Sequence, residues 1–204
     1  MSHLDLFAVP LFRTIIDELT ESEVNYLQTV PMTQGRHQAM NSENLHLLDQ
    51  LELRTLRTHI DLGIKEYLEH LGVAVDEIEI TITTSWLNRY QKGDLTHQHH
   101  HSNSIISGVY YPTACDHSAP IQFHRGHHWH NLWPNMINLP IRTHNALNID
   151  RITVVPKQSE LIMWPSHLEH SVPANQSHQP RETIAFNTFV KGTLDPKGGS
   201  ELTI

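Results

Sequence analysis

Cysteine is almost missing from this chain: Cys115 stands alone among 204 residues. A lone thiol cannot close an intramolecular disulfide and fits a reducing compartment, so a cytoplasmic location is expected. Positive charge is short as well. Lys and Arg number 14 against 22 Asp and Glu, a net charge of −8 with histidine neutral. That balance argues against a nucleic-acid partner, which needs a basic face to neutralise phosphates. No apolar run reaches the roughly 18 residues of a membrane span, so no membrane partner is expected either. The opening MSHLDLFAVPLF has no basic segment ahead of its apolar residues and is not read as a secretory signal. With 9 Gly and 11 Pro, collagen-like and low-complexity classes are excluded. A chain of this length buries about 70% of its unfolded surface and needs no disulfide or metal simply to fold. What is abundant is histidine, with 18 residues, more than Lys and Arg together.

Residues 1–75 and the remainder differ in texture. Leu45, Leu48, Leu51, Leu56, Ile60, Ile64, Tyr67 and Leu68 recur at helical intervals with charges between them. Ser42 as N-cap and Gly72 as stop predict one helix of up to about 28 residues. A shorter helix over 21–29 is entered through Thr20-Glu21-Ser22-Glu23, a capping-box pattern. The apolar stretch 5–16, interrupted by Pro10, reads as an extended edge segment.

From residue 77 the period becomes two. Ile78, Ile80, Ile82, Thr84, Trp86, Asn88 and Tyr90 share one parity, which predicts a long strand with one buried face. Further strands are expected at 104–112, 120–124, 151–155, 160–164 and 182–190, separated by turn residues. The whole reads as a single mainly β domain. Residues 1–75 form helical support, 77–190 a jelly-roll-like sandwich and 191–204 a C-terminal tail.

The histidines fall into three clusters: His97, His99, His100 and His101; His124, His127, His128 and His130; and His167 with His170. If 97–101 is extended, His97, His99 and His101 face one side and His100 the other. Two imidazoles two residues apart on a strand can hold one metal ion. His170, after the strand 160–164, is the natural third ligand. Imidazoles without a thiolate suit Zn, Fe, Cu or Ni, and with one cysteine the site reads as open rather than structural. His167-Leu168-Glu169-His170 is not the helical zinc-protease pattern. The run 124–130 reads as a solvated loop or a lid; His128, Trp129 and Trp133 are the candidate substrate-covering residues. His3, His37, His46, His59, His70, His117, His144 and His178 have no assigned role.

Arg89-Tyr90-Gln91-Lys92-Gly93, five residues, then His99-His100-His101 resembles the start of the catalytic core of Fe(II)/2-oxoglutarate-dependent oxygenases, in particular the prolyl-hydroxylase-like branch. Leu161-Ile162-Met163-Trp164-Pro165-Ser166 with His170-Ser171-Val172 resembles the segment carrying that family's distal metal histidine. Arg181 falls where the family places the residue that grips the far carboxylate of 2-oxoglutarate, and Thr183 completes an R-x-T pattern. Over about residues 85–190 the ordered set is similar to a group of 2-oxoglutarate/Fe(II) oxygenases found in phages and marine bacteria. The resemblance implies a double-stranded β-helix core. It implies Fe(II) at His99, His101 and His170, 2-oxoglutarate as co-substrate and O2 as oxidant. It also implies a co-substrate pocket of Arg181, Thr183, Tyr90, Tyr111 and Asn88. Arg suits a carboxylate because its planar fork makes two parallel charge-assisted bonds.

One position departs from the family pattern. The usual triad is two His and a carboxylate, and here His101 holds the carboxylate position. An acid would lower the site charge to about +1 and bound 2-oxoglutarate would take it to about −1; three neutral imidazoles leave the complex near zero. The expected activity is hydroxylation of an unactivated C–H bond with release of succinate and CO2. The substrate would be a small molecule or a peptide or protein side chain. A cupin-type metalloprotein is the alternative, opened by the same Gly93-x5-His99-x-His101, but the acid a cupin needs is absent from residues 102–108. A non-catalytic metal-binding jelly roll is the third reading. Sheet edges and the long helix could pair subunits in a homodimer.

Overall fold

Thr20 starts the first helix as its sequence predicts. Its hydroxyl accepts from the Glu23 backbone N–H, and the Glu23 carboxylate accepts from the Thr20 N–H at 2.8 Å, closing the capping box of α1 (Glu21–Thr29). The same carboxylate does a second job. Glu23 is buried, and its other oxygen accepts from the Leu56 N–H at 3.0 Å. It thereby caps α2 (Arg54–His70), whose own N-cap residue, Leu53, supplies no side-chain bond. One acid from α1 joins the starts of both helices.

The long helix therefore begins at Arg54 and not at Ser42. Ser42 accepts from the Leu87 N–H at 3.0 Å and donates to the Asn44 carbonyl, while Ser85 accepts from the Leu48 N–H at 2.8 Å. These bonds to the adjacent strand take the backbone groups a helix would need. Two single 3₁₀ turns, Leu47–Asp49 and Leu51–Leu53, bury Leu47, Leu48 and Leu53 instead. The helical spacing of the leucines was real only from residue 54 onward.

This computed structural model describes residues 8–35, 37–113, 119–126, 140–194 and 199–204. In chain order the strands are β1 (Phe12–Ile15), β2 (Met32–Gln34), β3 (Met40–Ser42), β4 (Glu79–Tyr90), β5 (Thr96–His99), β6 (Ile106–Tyr111), β7 (Ile121–His124), β8 (Arg151–Val154), β9 (Glu160–Pro165), β10 (His170–Val172), β11 (Arg181–Lys191), β12 (Thr193–Leu194) and β13 (Leu202–Thr203). A seven-stranded sheet runs β1-β9-β6-β11-β4-β3-β2 and a four-stranded sheet β5-β10-β7-β8, with β12 and β13 paired separately. All the pairings of named strands in the described residues are antiparallel. The architecture is a double-stranded β-helix with helices on the outside of the larger sheet. The N-terminal third is more than helical support, because β1 forms one edge of that sheet and β2 and β3 the other.

The outer face of the larger sheet presents Leu87, Tyr110, Leu161, Met163, Ile184 and Phe186 to Leu27, Leu56, Ile60, Ile64 and Tyr67 of the two helices. Each such side chain, fully buried, contributes about 1.5–3 kcal/mol. Gly108 lies opposite Phe186 in the ladder, and a Cβ there would sit 2.2 Å from the phenyl Cζ. The aromatic ring occupies the space a side chain would need.

The parity of β4 is broken once. Asn187 pairs with Thr84 but Thr188 pairs with Ile82, which leaves Thr83 as an extra residue. Ile82 thus faces the helices together with Leu87, although the two differ in parity, and only Thr84, Trp86, Asn88 and Tyr90 share the inner face. The single-parity strand expected from sequence is two segments joined by a bulge. Among the described residues, no helix is long and apolar enough to cross a membrane.

Candidate metal centre and anion pocket

The inner face is polar where the outer is not. Arg181 pairs with Tyr90, Thr183 with Asn88 and Ala185 with Trp86 across β11 and β4. Val109 and Tyr111 of β6 and Ile162 and Trp164 of β9 continue the same face. The smaller sheet closes over this surface and contributes the histidines.

His170 lies directly opposite His99 in the β10–β5 ladder. The register then slips, so that Val172 pairs with Thr96 rather than with His97. This irregularity puts Thr96 and His99 on the inner side and leaves His97 exposed, against the strict alternation expected for 97–101. His101 lies two residues past the strand end, fixed by a 3.0 Å bond from its backbone N–H to the Ser166 carbonyl. The Ser166 hydroxyl in turn is 2.7 Å from that of Ser104 and 2.8 Å from that of Ser107. The segment before His170 is a turn leading into β10, not a helix.

Together, His99, His101 and His170 bring one ring nitrogen each to within 4.8 Å of one another. Nε2 of His101 and of His170 are 3.3 Å apart, suited to adjacent positions on one ion with bonds of about 2.1 Å. The rings are oriented from behind. His99 Nδ1–H donates to the His97 carbonyl at 2.8 Å, and His170 Nδ1–H donates to the Leu168 carbonyl at 3.1 Å. Both bonds fix the tautomer that leaves Nε2 free as a ligand. Trp164 stands edge-on against His170, ring centroids 4.8 Å apart. Burial lowers the pKa of all three: His101 to about 4, His170 well below the usual range and His99 downward, with neighbouring histidines adding to each shift. The rings stay neutral at physiological pH, the state in which imidazole binds a metal.

Deeper in the barrel Arg181 is 3% exposed. Its Nε donates to the Ala119 carbonyl at 2.9 Å and its Nη2 to the Tyr111 hydroxyl at 3.4 Å. The guanidinium lies 4.8 Å from the ring centroid of Tyr90 and 5.3 Å from that of Tyr111. No carboxylate among the described residues forms an ion pair with it. A buried cation without a counter-ion is costly, and an anion in the barrel would supply one. Tyr111, its pKa pushed up to about 12 chiefly by burial, keeps its proton and can donate. Thr183 accepts from Asn88 Nδ2 at 3.2 Å, which leaves its own O–H to donate. The Tyr90 hydroxyl is engaged with Thr96 at 2.7 Å.

Asn88 is differently used than expected of a co-substrate ligand. Its Oδ1 accepts from Trp86 Nε1 at 2.9 Å and from Asn41 Nδ2 at 2.5 Å, and its Nδ2 faces Thr183. Gly93 adopts φ +92° in the turn after β4, closed by the Asp94 N–H to the Gln91 carbonyl, so the glycine of the motif serves the turn that leads to β5. His124 Nε2 lies 2.8 Å from the Ser171 hydroxyl. The lid residues His128, Trp129 and Trp133 lie outside the described residues. Sequence reasoning missed His37 and Ala119, on irregular segments, and Asn41, on the three-residue strand β3, too short to show a period.

The family described as "Putative 2OG-Fe(II) oxygenase" matches residues 84–187, which span the strands from β4 to β11. No functionally curated protein matches the chain by sequence. Among solved structures, the chain is similar to the non-heme alpha ketoglutarate dependent epimerase SnoN from nogalamycin biosynthesis. The TM-score is 0.60 at 14% identity, covering 94% of this chain and 83% of that one. It is also similar to HygX from Streptomyces hygroscopicus with nickel and 2-oxoglutarate bound (TM-score 0.57, 12% identity, 88% and 82% covered). A Pseudomonas putida prolyl-4-hydroxylase superposes comparably (TM-score 0.56, 12% identity, 88% and 92% covered). At these identities the likeness concerns the fold.

Proposed function

The chain belongs to the 2OG-Fe(II) oxygenase family, where 2OG is 2-oxoglutarate, and from that premise we propose that it hydroxylates an organic substrate using Fe(II), 2-oxoglutarate and O2. The observation that supports this most directly is the pairing, inside one barrel, of a three-imidazole cluster with a buried arginine that has no carboxylate partner among the described residues. His99, His101 and His170 would hold the metal through their Nε2 atoms. With three protein ligands such a metal would not be fully enclosed by the chain and could take a co-substrate as well. Bound Fe(II) with 2-oxoglutarate and O2 supplies the oxidation: R–H, O2 and 2-oxoglutarate become R–OH, succinate and CO2.

The chain's own groups do the rest. Arg181 would take the far carboxylate through its guanidinium fork, with Nε already held by Ala119. Tyr111 and Thr183 would each donate a hydroxyl hydrogen to the same anion. The guanidinium is buried beside the Tyr90 and Tyr111 rings, where a charge pair is stronger than in water. No general base or nucleophile is required of the protein. The substrate would be a small molecule or a peptide side chain; the solved structures of similar fold range from an epimerase to a prolyl-4-hydroxylase.

Anaerobic titration with Fe(II) and then 2-oxoglutarate, followed by a succinate assay in air, tests the reading. Binding of both and slow succinate release are expected. Uptake of metal without binding of 2-oxoglutarate would overturn it in favour of a cupin-like or non-catalytic metal site.

A further inference from the structure

The β2–β3 hairpin sits at the edge of the larger sheet, joined to β4 through Met40↔Arg89 and Asn41↔Asn88. Three of its residues, at alternate positions, reach the site. His37 packs its ring against that of His99, centroids 5.1 Å apart and planes inclined by 36°, and lies 6.0 Å from the His97 ring. Ala39 is buried in one cluster with Tyr90, Ala119 and Val172, and Tyr90 and Ala119 of that cluster contact Arg181. Asn41 Nδ2 donates to Asn88 Oδ1 at 2.5 Å. Gly35 makes the fold-over sterically feasible, since a Cβ there would stand 1.7 Å from Asn41 Oδ1.

The Asn88 oxygen is a junction. It accepts from Asn41, which latches the hairpin, and from Trp86, whose ring lies 6.1 Å from that of His101. The hairpin that carries His37, beside His99, and the Trp86 ring, beside His101, are thus both bonded to one amide. The amide's nitrogen faces Thr183 of the anion pocket.

We propose that the β2–β3 hairpin is a wall of the active site and that His37 is a positioning residue, holding the His99 ring in its orientation at the metal. The assignment rests on the metal-centre reading above and adds a residue from outside the matched segment 84–187. Groups around a metal ligand fix its orientation; loss of a hydrogen-bonded one typically lowers metal affinity about 10- to 100-fold, and a packed ring is expected at the lower end of that range.

The test uses the full chain loaded with Co(II), whose unpaired electrons shift the proton resonances of each ligand imidazole. His37→Ala is expected to displace the shifted signals of one ligand ring and to weaken Co(II) about tenfold. His37→Phe, which keeps a ring, should restore most of both. Asn41→Ala, which opens the latch, should displace the same signals. Spectra unchanged in His37→Ala and Asn41→Ala would overturn the proposal. So would a loss of Co(II) in His37→Ala as complete as in His99→Ala, which would make His37 a ligand. In the metal-free protein, nuclear Overhauser contacts between the His37 and His99 rings test the packing alone. Their absence overturns the hairpin assignment, whereas failure of the wild type to take Co(II) overturns the metal reading on which it rests.

Discussion

The two faces of the seven-stranded sheet come from alternate residues of the same strands and have opposite characters. Outward, Leu87, Ile184 and Phe186 pack on α1 and α2 in an apolar layer. Inward, Asn88, Arg181 and Thr183, the residues beside them, form a hydrogen-bonded surface that holds a buried cation. The outer layer is where burial free energy accumulates. The inner layer spends stability on groups that a ligand would satisfy, as binding sites commonly do. The comparison predicts that substitutions on one face change stability and on the other change binding.

The largest expected effect on folding is from Ile60→Ala, at a fully buried position in the outer layer. It should lower unfolding free energy by about 3 kcal/mol or more in urea melts and leave 2-oxoglutarate affinity per folded molecule intact. Arg181→Met should behave in the opposite way. Affinity for 2-oxoglutarate by calorimetry is expected to fall roughly 100-fold, about 3 kcal/mol, with metal affinity retained. The melting temperature should hold or rise, because a buried cation with no ion-pair partner among the described residues is replaced by an apolar chain. Equal losses of stability and binding in either variant would break the comparison. Gly108→Ala is smaller. Its methyl group would overlap Phe186, and overpacking of this kind costs about 2 kcal/mol in chemical unfolding.

The pH dependence of the metal-free protein probes the inner face without any substitution. Burial holds His101 at about 4 and also lowers His99 and His170, whereas in the unfolded chain these rings titrate near 6.5. Between those values the unfolded state binds more protons. Stability is therefore complete above about pH 6.5 and declines as pH falls toward about 4. Thermal melts across that window check the sign, and His101→Asn should flatten the slope where Ile60→Ala does not.

Much of this was legible in the residues. Thr20 and Glu23 announce α1, the two-residue period announces β4, strand-like runs bounded by turn residues announce β6, β9 and β11, and the spacing of Gly93, His99, His101, His170 and Arg181 marks the candidate site. What was not legible has one kind of cause. Ser42 looked like a helix cap because nothing local shows that its hydroxyl bonds to Leu87, 45 residues away. His97 looked equivalent to His99 until the slipped register between β5 and β10 separated them. Ile82 looked like a neighbour of Trp86 until the bulge at Thr83 turned it outward.

By itself the sequence determined the local choices: helix starts, strand periods, the turn glycine Gly93 and an arginine and histidines of the right types at ordered spacings. These depend on backbone geometry and on residues a few positions apart, which propensity and periodicity encode directly. Only the tertiary structure decided which histidines meet, that Glu23 caps a second helix, that Asn88 is a bracket, and that residues 37–41 belong to the site. Each of these depends on a strand register or a bulge, set by packing across the whole sheet, where a shift of one residue turns every side chain to the other face.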